Sequence, residues 1–231
     1  MPFEHFIKLF LKFIKQLTFK QTMPVSIIIP AYNEEKYIEE TLKALPKEHE
    51  IIVVCNGCTD KTEEIAKKYT DNVYVLKEKG VSMAKNFGAS KAKNDKLIFL
   101  DADIIIGEDV VNAIEDSKYD LGTIKSKPDK KHLKAKIFML LKNIWAKNYF
   151  GGGVIFCTKK IFNKVGGFDT KLQFKEDKKF LKEAKKITKY RFIPLSGTVN
   201  MRRHEKLGYF KPQITHILGL IHKKIKYKAV R

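Results

Sequence analysis

The first hundred residues alternate short apolar runs with stretches of helical spacing, and this alternation constrains the fold more than any other feature of the chain. Val25–Pro30, Glu50–Val54, Val73–Leu76 and Lys96–Leu100 read as strands. Between them, Glu34–Leu45, Thr59–Tyr69 and Val81–Lys93 read as helices. Asn33 is placed to cap the first helix, and Thr59 or Asp60 the second. Strands separated by helices of ~10–15 residues build a parallel sheet with right-handed crossovers. The expected class is therefore α/β, with a Rossmann-like, mostly parallel sheet flanked by helices. Ligands of such sheets bind beyond the carboxyl ends of the strands. That rule directs attention to three loops: Ala31–Glu34, Cys55–Asp60 and Asp101–Asp103.

After residue 104 the alternation is lost. A lysine-rich region, Asp116–Lys147, holds one expected helix around Leu133–Trp145. The glycines Gly151–Gly153 precede a strand at Val154–Cys157. A short helix, Lys159–Val165, stops at Gly166-Gly167, and Gln173–Lys186 forms a helix carrying Glu176 and Asp177.

The chain has 231 residues, enough for one domain with a sizeable core. Its 46 Lys+Arg against 26 Asp+Glu give +20, a field that attracts nucleic acid, an anionic membrane or phosphorylated substrates. Charge alone does not choose among them. The three cysteines, Cys55, Cys58 and Cys157, include one C-x-x-C but no second pair and no histidines at ligand spacing, which argues against a zinc site. So low a count fits a reducing compartment.

No run of about 20 apolar residues occurs, and lysines interrupt the N-terminal apolar residues, so neither a spanning helix nor a signal peptide is expected. In residues 1–20, Phe3, Phe6, Ile7, Phe10, Ile14 and Leu17 share one helical face, with Lys8, Lys12 and Lys15 opposite. Such a helix suits a membrane interface, or packing on the domain or a second subunit. Beyond Leu207 the chain is basic, with Ile214, Ile217, Leu218, Ile221 and Ile225 on one face.

The sharpest chemical signal is Leu100-Asp101-Ala102-Asp103. A buried strand ends in two carboxylates, and two unpaired carboxylates so close repel each other, which a cation between them relieves. Mg²⁺ and Mn²⁺ prefer such oxygen ligands and complete their shell with phosphate oxygens and water. The bland alternative is an acidic turn capping the next element.

The wider context resembles family 2 glycosyltransferases. Val25-Ser-Ile-Ile-Ile-Pro-Ala-Tyr-Asn-Glu-Glu35 resembles their opening strand and loop, and Glu50-Ile-Ile-Val-Val-Cys-Asn-Gly-Cys-Thr-Asp-Lys-Thr62 their second strand and nucleotide-binding loop. Gly80–Gly88, with Ala84-Lys85-Asn86, resembles the motif ahead of the metal strand. Gly151–Gly153, Val165-Gly-Gly-Phe-Asp169 and Glu176-Asp177 resemble their acceptor half. The resemblance runs in order from about residue 23 to 210. It implies a GT-A fold with a mixed acceptor-binding half, inversion at the anomeric carbon, a UDP- or GDP-sugar donor, and Mg²⁺ or Mn²⁺.

Carried over residue by residue, the resemblance implies that Pro30, Ala31, Tyr32 and Glu34 line the base and ribose pocket, and that Asn56 helps read the base. Asp101 and Asp103 would meet ribose and metal-diphosphate, Lys85 would meet phosphate, and Asp177 would be the base. Removal of the acceptor hydroxyl proton by a carboxylate suits inverting transfer; the bland alternative for Glu176-Asp177 is a solvated face among Lys175, Lys178 and Lys179. Arg202 and Arg203 would bind diphosphate or a phosphorylated acceptor, with His204 a further metal ligand, or the three form a basic surface turn. Three positions depart from the family pattern: Cys55 where Asp is common, Lys85 where Arg is usual, and Cys58 in place of Ser.

The expected organisation is thus an amphipathic helix at 1–22, a GT-A domain at 23–210 and a basic amphipathic tail at 211–231. The expected setting is peripheral, on the cytoplasmic face of an anionic membrane, with a lipid, lipid-linked or glycan acceptor and no nucleic acid. Two rivals lack their own signals. A nucleotidyltransferase would want a glycine-rich phosphate loop, which Pro30-Ala-Tyr-Asn-Glu34 is not. A nucleic-acid-binding module would interleave aromatics with basic residues on one face, whereas here the basic residues concentrate in helices and termini.

Overall fold

The structure, a computed structural model, describes residues 24–148, 153–172 and 175–209. The expected helix at 1–22, the tail at 211–231, Gly151 and Gly152 lie outside the described residues.

Four strands, β1 (Ser26–Ala31), β2 (Glu50–Asn56), β3 (Val73–Leu76) and β4 (Lys96–Leu100), fall where the alternation puts them. They are followed by β5 (Ile104–Ile105), β6 (Leu121–Pro128), β7 (Val154–Thr158) and β8 (Arg191–Val199). One sheet takes all eight, in the order β3-β2-β1-β4-β7-β6-β8-β5. The pairs β3-β2, β2-β1 and β1-β4 are parallel. From β4 outward the sheet is mixed: β7 runs antiparallel to both β4 and β6, β6 pairs in parallel with β8, and β5 closes the edge antiparallel.

The parallel half is apolar because helices cover both its faces. Alternation along a strand sends neighbours to opposite sides. Ile27 and Ile29 join one buried cluster with Val53, Leu100 and Leu42, while Ile28 joins another with Val54, Phe99 and Phe168. The first cluster is roofed by α1 (Ile38–Lys43) and α2 (Thr62–Ala66), the second by α3 (Val81–Lys91). Helix α3 lies so close to β1 that a methyl group at Gly88 would sit 2.4 Å from Ile28 Cγ2.

The remaining helices serve the mixed half: α4 (Glu108–Glu115), α5 (Leu133–Asn148), α6 (Lys159–Val165), α7 (Glu176–Ala184) and α8 (Arg202–Leu207). Thr158 caps α6 by accepting from Ile161 N–H, and Gly166 ends it in the left-handed region at φ 83°. Phe162, Phe168 and Phe180 pack with Phe99, Phe168 and Phe180 stacking at 4.6 Å between centroids. This cluster fixes α7 against β4, and with it the approach of Glu176 and Asp177.

Two expected features differ. The first helix begins at Ile38, not Glu34, and Asn33 does not cap it. Asn33 sits at φ 55° and faces the neighbouring loop, where its Oδ1 accepts from Thr59 N–H at 2.8 Å. The second helix is likewise shorter, Thr62–Ala66, although Asp60 does accept from Thr62 N–H. In both places loop-to-loop bonds at the carboxyl end of the sheet take up N–H groups ahead of the helix. No described helix is long and apolar enough to cross a membrane.

Candidate active site

The three loops beyond the carboxyl ends of β1, β2 and β4 are tied together by side chains. Asn56, buried at the end of β2, donates to Ala31 O at 2.8 Å and accepts from Gly80 N–H at 3.1 Å. It thereby joins β1, β2 and the start of α3, so both ends of its amide are occupied within the protein. Cys58 donates to Ala31 O at 3.4 Å and is hydrogen-bonded to Cys55. That bond holds the Cys58 thiol down, to about 7, while the same bond, and after it burial, push Cys55 up.

The acidic centre lies at the end of β4. Asp101 N–H donates to Gly153 O at 2.9 Å, which attaches β4 to the entrance of β7. Gly153 has φ +72°, and a methyl group there would lie 2.9 Å from Asp101 Oδ2 and 2.1 Å from Ile104 Cδ1. Only glycine permits this approach. Burial pushes the Asp101 carboxyl up to about 7; Lys85 opposes the shift, and Asp177, Asp103 and Glu176 reinforce it. Burial also raises Asp103, against the pull of Arg202.

Lys85 supplies the main counter-charge. It projects from α3, is buried, and donates to Asp177 Oδ1 at 2.6 Å and Glu176 Oε1 at 3.1 Å. Burial alone would lower its pKa, but Asp177, Asp101 and Glu176 raise it beyond the ordinary lysine range, so it stays charged. Two carboxylates on the first turn of α7 also lie at the positive end of that helix. Asn86, next to Lys85, holds the Phe168 backbone from both sides at 2.8 Å, donating to its carbonyl and accepting from its N–H. Adjacent residues of α3 thus fix α7 and the segment that leads to it. Glu176 and Asp177 are not a solvated face: Lys85 is their partner.

A second bridge crosses the site. Arg202, on α8, donates to both oxygens of Glu34, at 2.7 and 2.5 Å, and to Asp103 Oδ2 at 3.3 Å. Its guanidinium lies over the Tyr37 ring at 3.9 Å. Arg202 therefore joins the loop after β1 to the loop after β4, and the tripeptide Arg202-Arg203-His204 is the start of a helix rather than a free basic turn. Tyr32 lies under the Lys79 ammonium at 4.5 Å. Pro30 and Ala31 are the buried last residues of β1.

His204 lies among aromatic and basic side chains. Its ring packs on Phe138 at 4.4 Å, its Nδ1 is buried without a hydrogen-bond partner, and burial with Lys142 and Arg203 lowers its pKa to about 4. Among the described residues, no three His, Cys, Asp or Glu side chains gather closely enough to hold a metal ion. Asp101 and Asp103 are the carboxylates that fit such an ion. Their raised pKa values, caused first by burial, mark a place where a cation would lower the energy. Mg²⁺ is commonly held by one or two carboxylates plus phosphate oxygens.

Sequence reasoning missed Lys142. It comes from α5, and burial lowers its pKa against the opposing pull of Asp101, Asp103 and Asp177. Nothing in the lysine-rich stretch distinguishes it from Lys134 or Lys136, because its position is set by how α5 lies on β6.

The comparisons with known proteins agree with this architecture. A 1–349 fragment of TarS from S. aureus superposes with a TM-score of 0.61 over 85% of this chain and 66% of its own, at 23% identity. A mannosyltransferase from Pyrobaculum calidifontis, solved with GDP-Man and Mn²⁺, superposes at 0.59 over 83% of this chain and 64% of its own, at 20% identity. These likenesses establish a GT-A fold. In sequence, an uncharacterised glycosyltransferase of Rickettsia typhi is 31% identical over 182 residues, 66% of this chain and 56% of that protein. The glycosyltransferase AglE of Haloferax volcanii is 39% identical over 95 residues, 36% of this chain and 31% of its own length. The chain thus spans about half, or less, of these curated relatives. The model of glycosyl transferase family 2 matches residues 26–170, from the first strand to the segment before α7, and the chain belongs to that family.

Proposed function

We propose that this protein is an inverting glycosyltransferase that moves a sugar from a UDP- or GDP-sugar to a hydroxyl acceptor, with Mg²⁺ or Mn²⁺ as cofactor. The observation that carries the reading is the buried Lys85, which donates to Asp177 and Glu176 on α7 and carries its charge beside Asp101 at the end of β4.

The donor's base and ribose would lie over Pro30, Ala31, Tyr32 and Glu34, with Asn56 keeping those loops in register. For the ribose hydroxyls to meet Glu34 and Asp103, Arg202 must give up its present bonds, and the freed guanidinium then faces phosphate. Asp101 and Asp103 would hold the metal, which would supply positive charge against the departing diphosphate. Lys142 and Arg203 add positive charge on the same side. Asp177 accepts the acceptor's proton as the acceptor oxygen attacks the anomeric carbon. The Lys85 contact keeps Asp177 aimed, and the stacked phenylalanines keep α7 from shifting.

The neighbours support a nucleotide-sugar donor in kind: TarS was solved with UDP-GlcNAc and with UDP, and the Pyrobaculum enzyme with GDP-Man. The acceptor in this reading is a lipid or lipid-linked hydroxyl presented at a membrane surface, with the enzyme peripheral to it. The test is a screen of UDP- and GDP-sugars for diphosphate release with Mn²⁺ or Mg²⁺, with and without a polyprenyl-diphosphate-linked sugar, which offers lipid-linked hydroxyls. Release with one donor, abolished by EDTA, is expected. Full activity in excess EDTA would remove the metal, and no release from any donor would remove the reading.

A further inference from the structure

Helix α5 is apolar on two sides. Its inner side packs on β6: Ala135, Phe138, Met139 and Ala146 are buried, and Asn143 clamps Ser126 by accepting from its N–H and donating to its carbonyl, each at 2.8 Å. On its outer side, Leu133, Ile137, Leu140, Leu141, Ile144 and Trp145 are 39–70% exposed. Their spacing is i, i+4, i+7, i+8, i+11 and i+12, a continuous stripe at ~100° per residue. Among the described residues these are six of the nine large hydrophobic side chains that are exposed, the other three being scattered on other elements. An exposed apolar stripe of this length marks an interaction surface.

Charge selects the occupant. Helix α5 contains no acidic residue, and Lys130, Lys131, Lys134, Lys136 and Lys147 stand exposed at its ends and edges. The segments 1–22 and 210–231 are themselves basic, and a second copy carries the same +20, so each would meet these lysines with like charge. An anionic lipid surface offers both a place for the apolar stripe and negative charge for the lysine rim. A tryptophan in the stripe suits the headgroup level.

We infer that the outer face of α5 is a membrane-docking face for bilayers rich in anionic lipid. Lys142, on the same helix, carries the electrostatic link to Asp101, Asp103 and Asp177. Docking through α5 therefore sets the acidic centre one helix away from the headgroups. That placement suits an acceptor hydroxyl carried on a lipid-linked substrate. The inference rests on the proposed transferase reading only for that acceptor class, and its test needs no donor.

Trp145 is the only tryptophan in the chain, so intrinsic fluorescence reports on this face alone. The full chain is mixed with vesicles of phosphatidylcholine, with and without phosphatidylglycerol, and with brominated acyl chains in a parallel series. Expected are co-sedimentation with the anionic vesicles, weakened by salt, a blue shift of Trp145 emission, and quenching by the brominated chains. The paired substitution Leu140→Gln with Ile144→Gln changes no charge, and should lower vesicle partition roughly tenfold or more while the thermal unfolding midpoint stays in place. Co-sedimentation with unchanged Trp145 emission would overturn the inference and make the terminal segments the anchor; no binding at all would also overturn it. Shielding of Trp145 from acrylamide without vesicles would also overturn it. Shielding at every protein concentration means that another segment of the chain covers the stripe, and shielding only at high concentration means a second copy. A failed transfer reaction with a positive fluorescence result leaves the docking face standing and sinks only the transferase reading.

Discussion

The two halves of the sheet are built on different terms. In the parallel half, β1, β2 and β4 are almost wholly buried, and each strand is an apolar run that ends in a loop of polar side chains. In the mixed half, β6 reads Leu-Gly-Thr-Ile-Lys-Ser-Lys-Pro and β8 contains Pro194 and Gly197. The register between them steps from Ile124–Ile193 to Lys125–Ser196, which leaves Pro194 and Leu195 in an irregularity where a missing N–H costs no ladder bond. The parallel half has its structure written locally. The mixed half takes its structure from its neighbours, and it contributes α5, α7 and α8, which reach back over the acidic centre. A locally specified platform and a tertiary-assembled second wall follow from that difference.

The largest effect should come from the contact that joins the halves. Lys85→Met leaves Glu176, Asp177 and Asp101 without their buried counter-charge, and removing one partner of a buried pair costs about 3–5 kcal/mol. Urea unfolding should show that loss. A change within a few tenths of a kcal/mol would mean that the two halves are not coupled through Lys85.

A smaller effect tests the parallel half alone. Gly88→Ala improves helix propensity by ~1 kcal/mol, but the added methyl meets Ile28 at 2.4 Å, on a buried strand with little room to yield. Overpacking of this kind costs about 1–3 kcal/mol, so the net change should be destabilising by a small margin. A stabilised variant would show that α3 can lift from β1 at no cost.

The smallest effect is chemical. Cys58 is partly exposed and its thiol is lowered to about 7 by Cys55, whereas Cys55 and Cys157 are buried and raised. The thiolate is the reactive form. Alkylation of Cys58 should therefore proceed at neutral pH and slow as pH falls below 7, with Cys55 and Cys157 spared in the folded protein. Mass spectrometry after brief iodoacetamide treatment reads this, and equal labelling of all three would contradict the hydrogen-bonded pair at the end of β2.

The same contrast explains what the sequence discloses. The four parallel strands and the helices between them are legible because burial on both faces demands apolar runs of strand length. Helix α4 is not: Val110, Val111 and Ile114 are too few in a short segment to stand out, although all three are buried. The boundaries of α1 and α2 are overestimated because Asn33, Asp60 and Thr62 make hydrogen bonds between loops, and no local pattern reveals this. In the site, the Asp101–Asp103 pair is legible from its place after a buried strand. The partners are not. That Lys85 meets Asp177 across 92 positions, and Arg202 meets Glu34 across 168, are tertiary facts. Lys142 is hidden for the same reason.

The central claim is a division of roles between the halves, with donor binding on the parallel side and proton removal by Asp177 on the mixed side. The most direct measurement pairs donor affinity with turnover for Asp177→Asn and Asp103→Asn, at saturating Mn²⁺ and with the donor identified by the diphosphate screen. Asp177→Asn should keep donor Kd within a few-fold while kcat falls by roughly 10²–10⁴. Asp103→Asn should weaken donor binding and abolish turnover together. If Asp177→Asn turns over at near the wild-type rate with unchanged acceptor KM, Asp177 is not the base and the proposed mechanism is wrong.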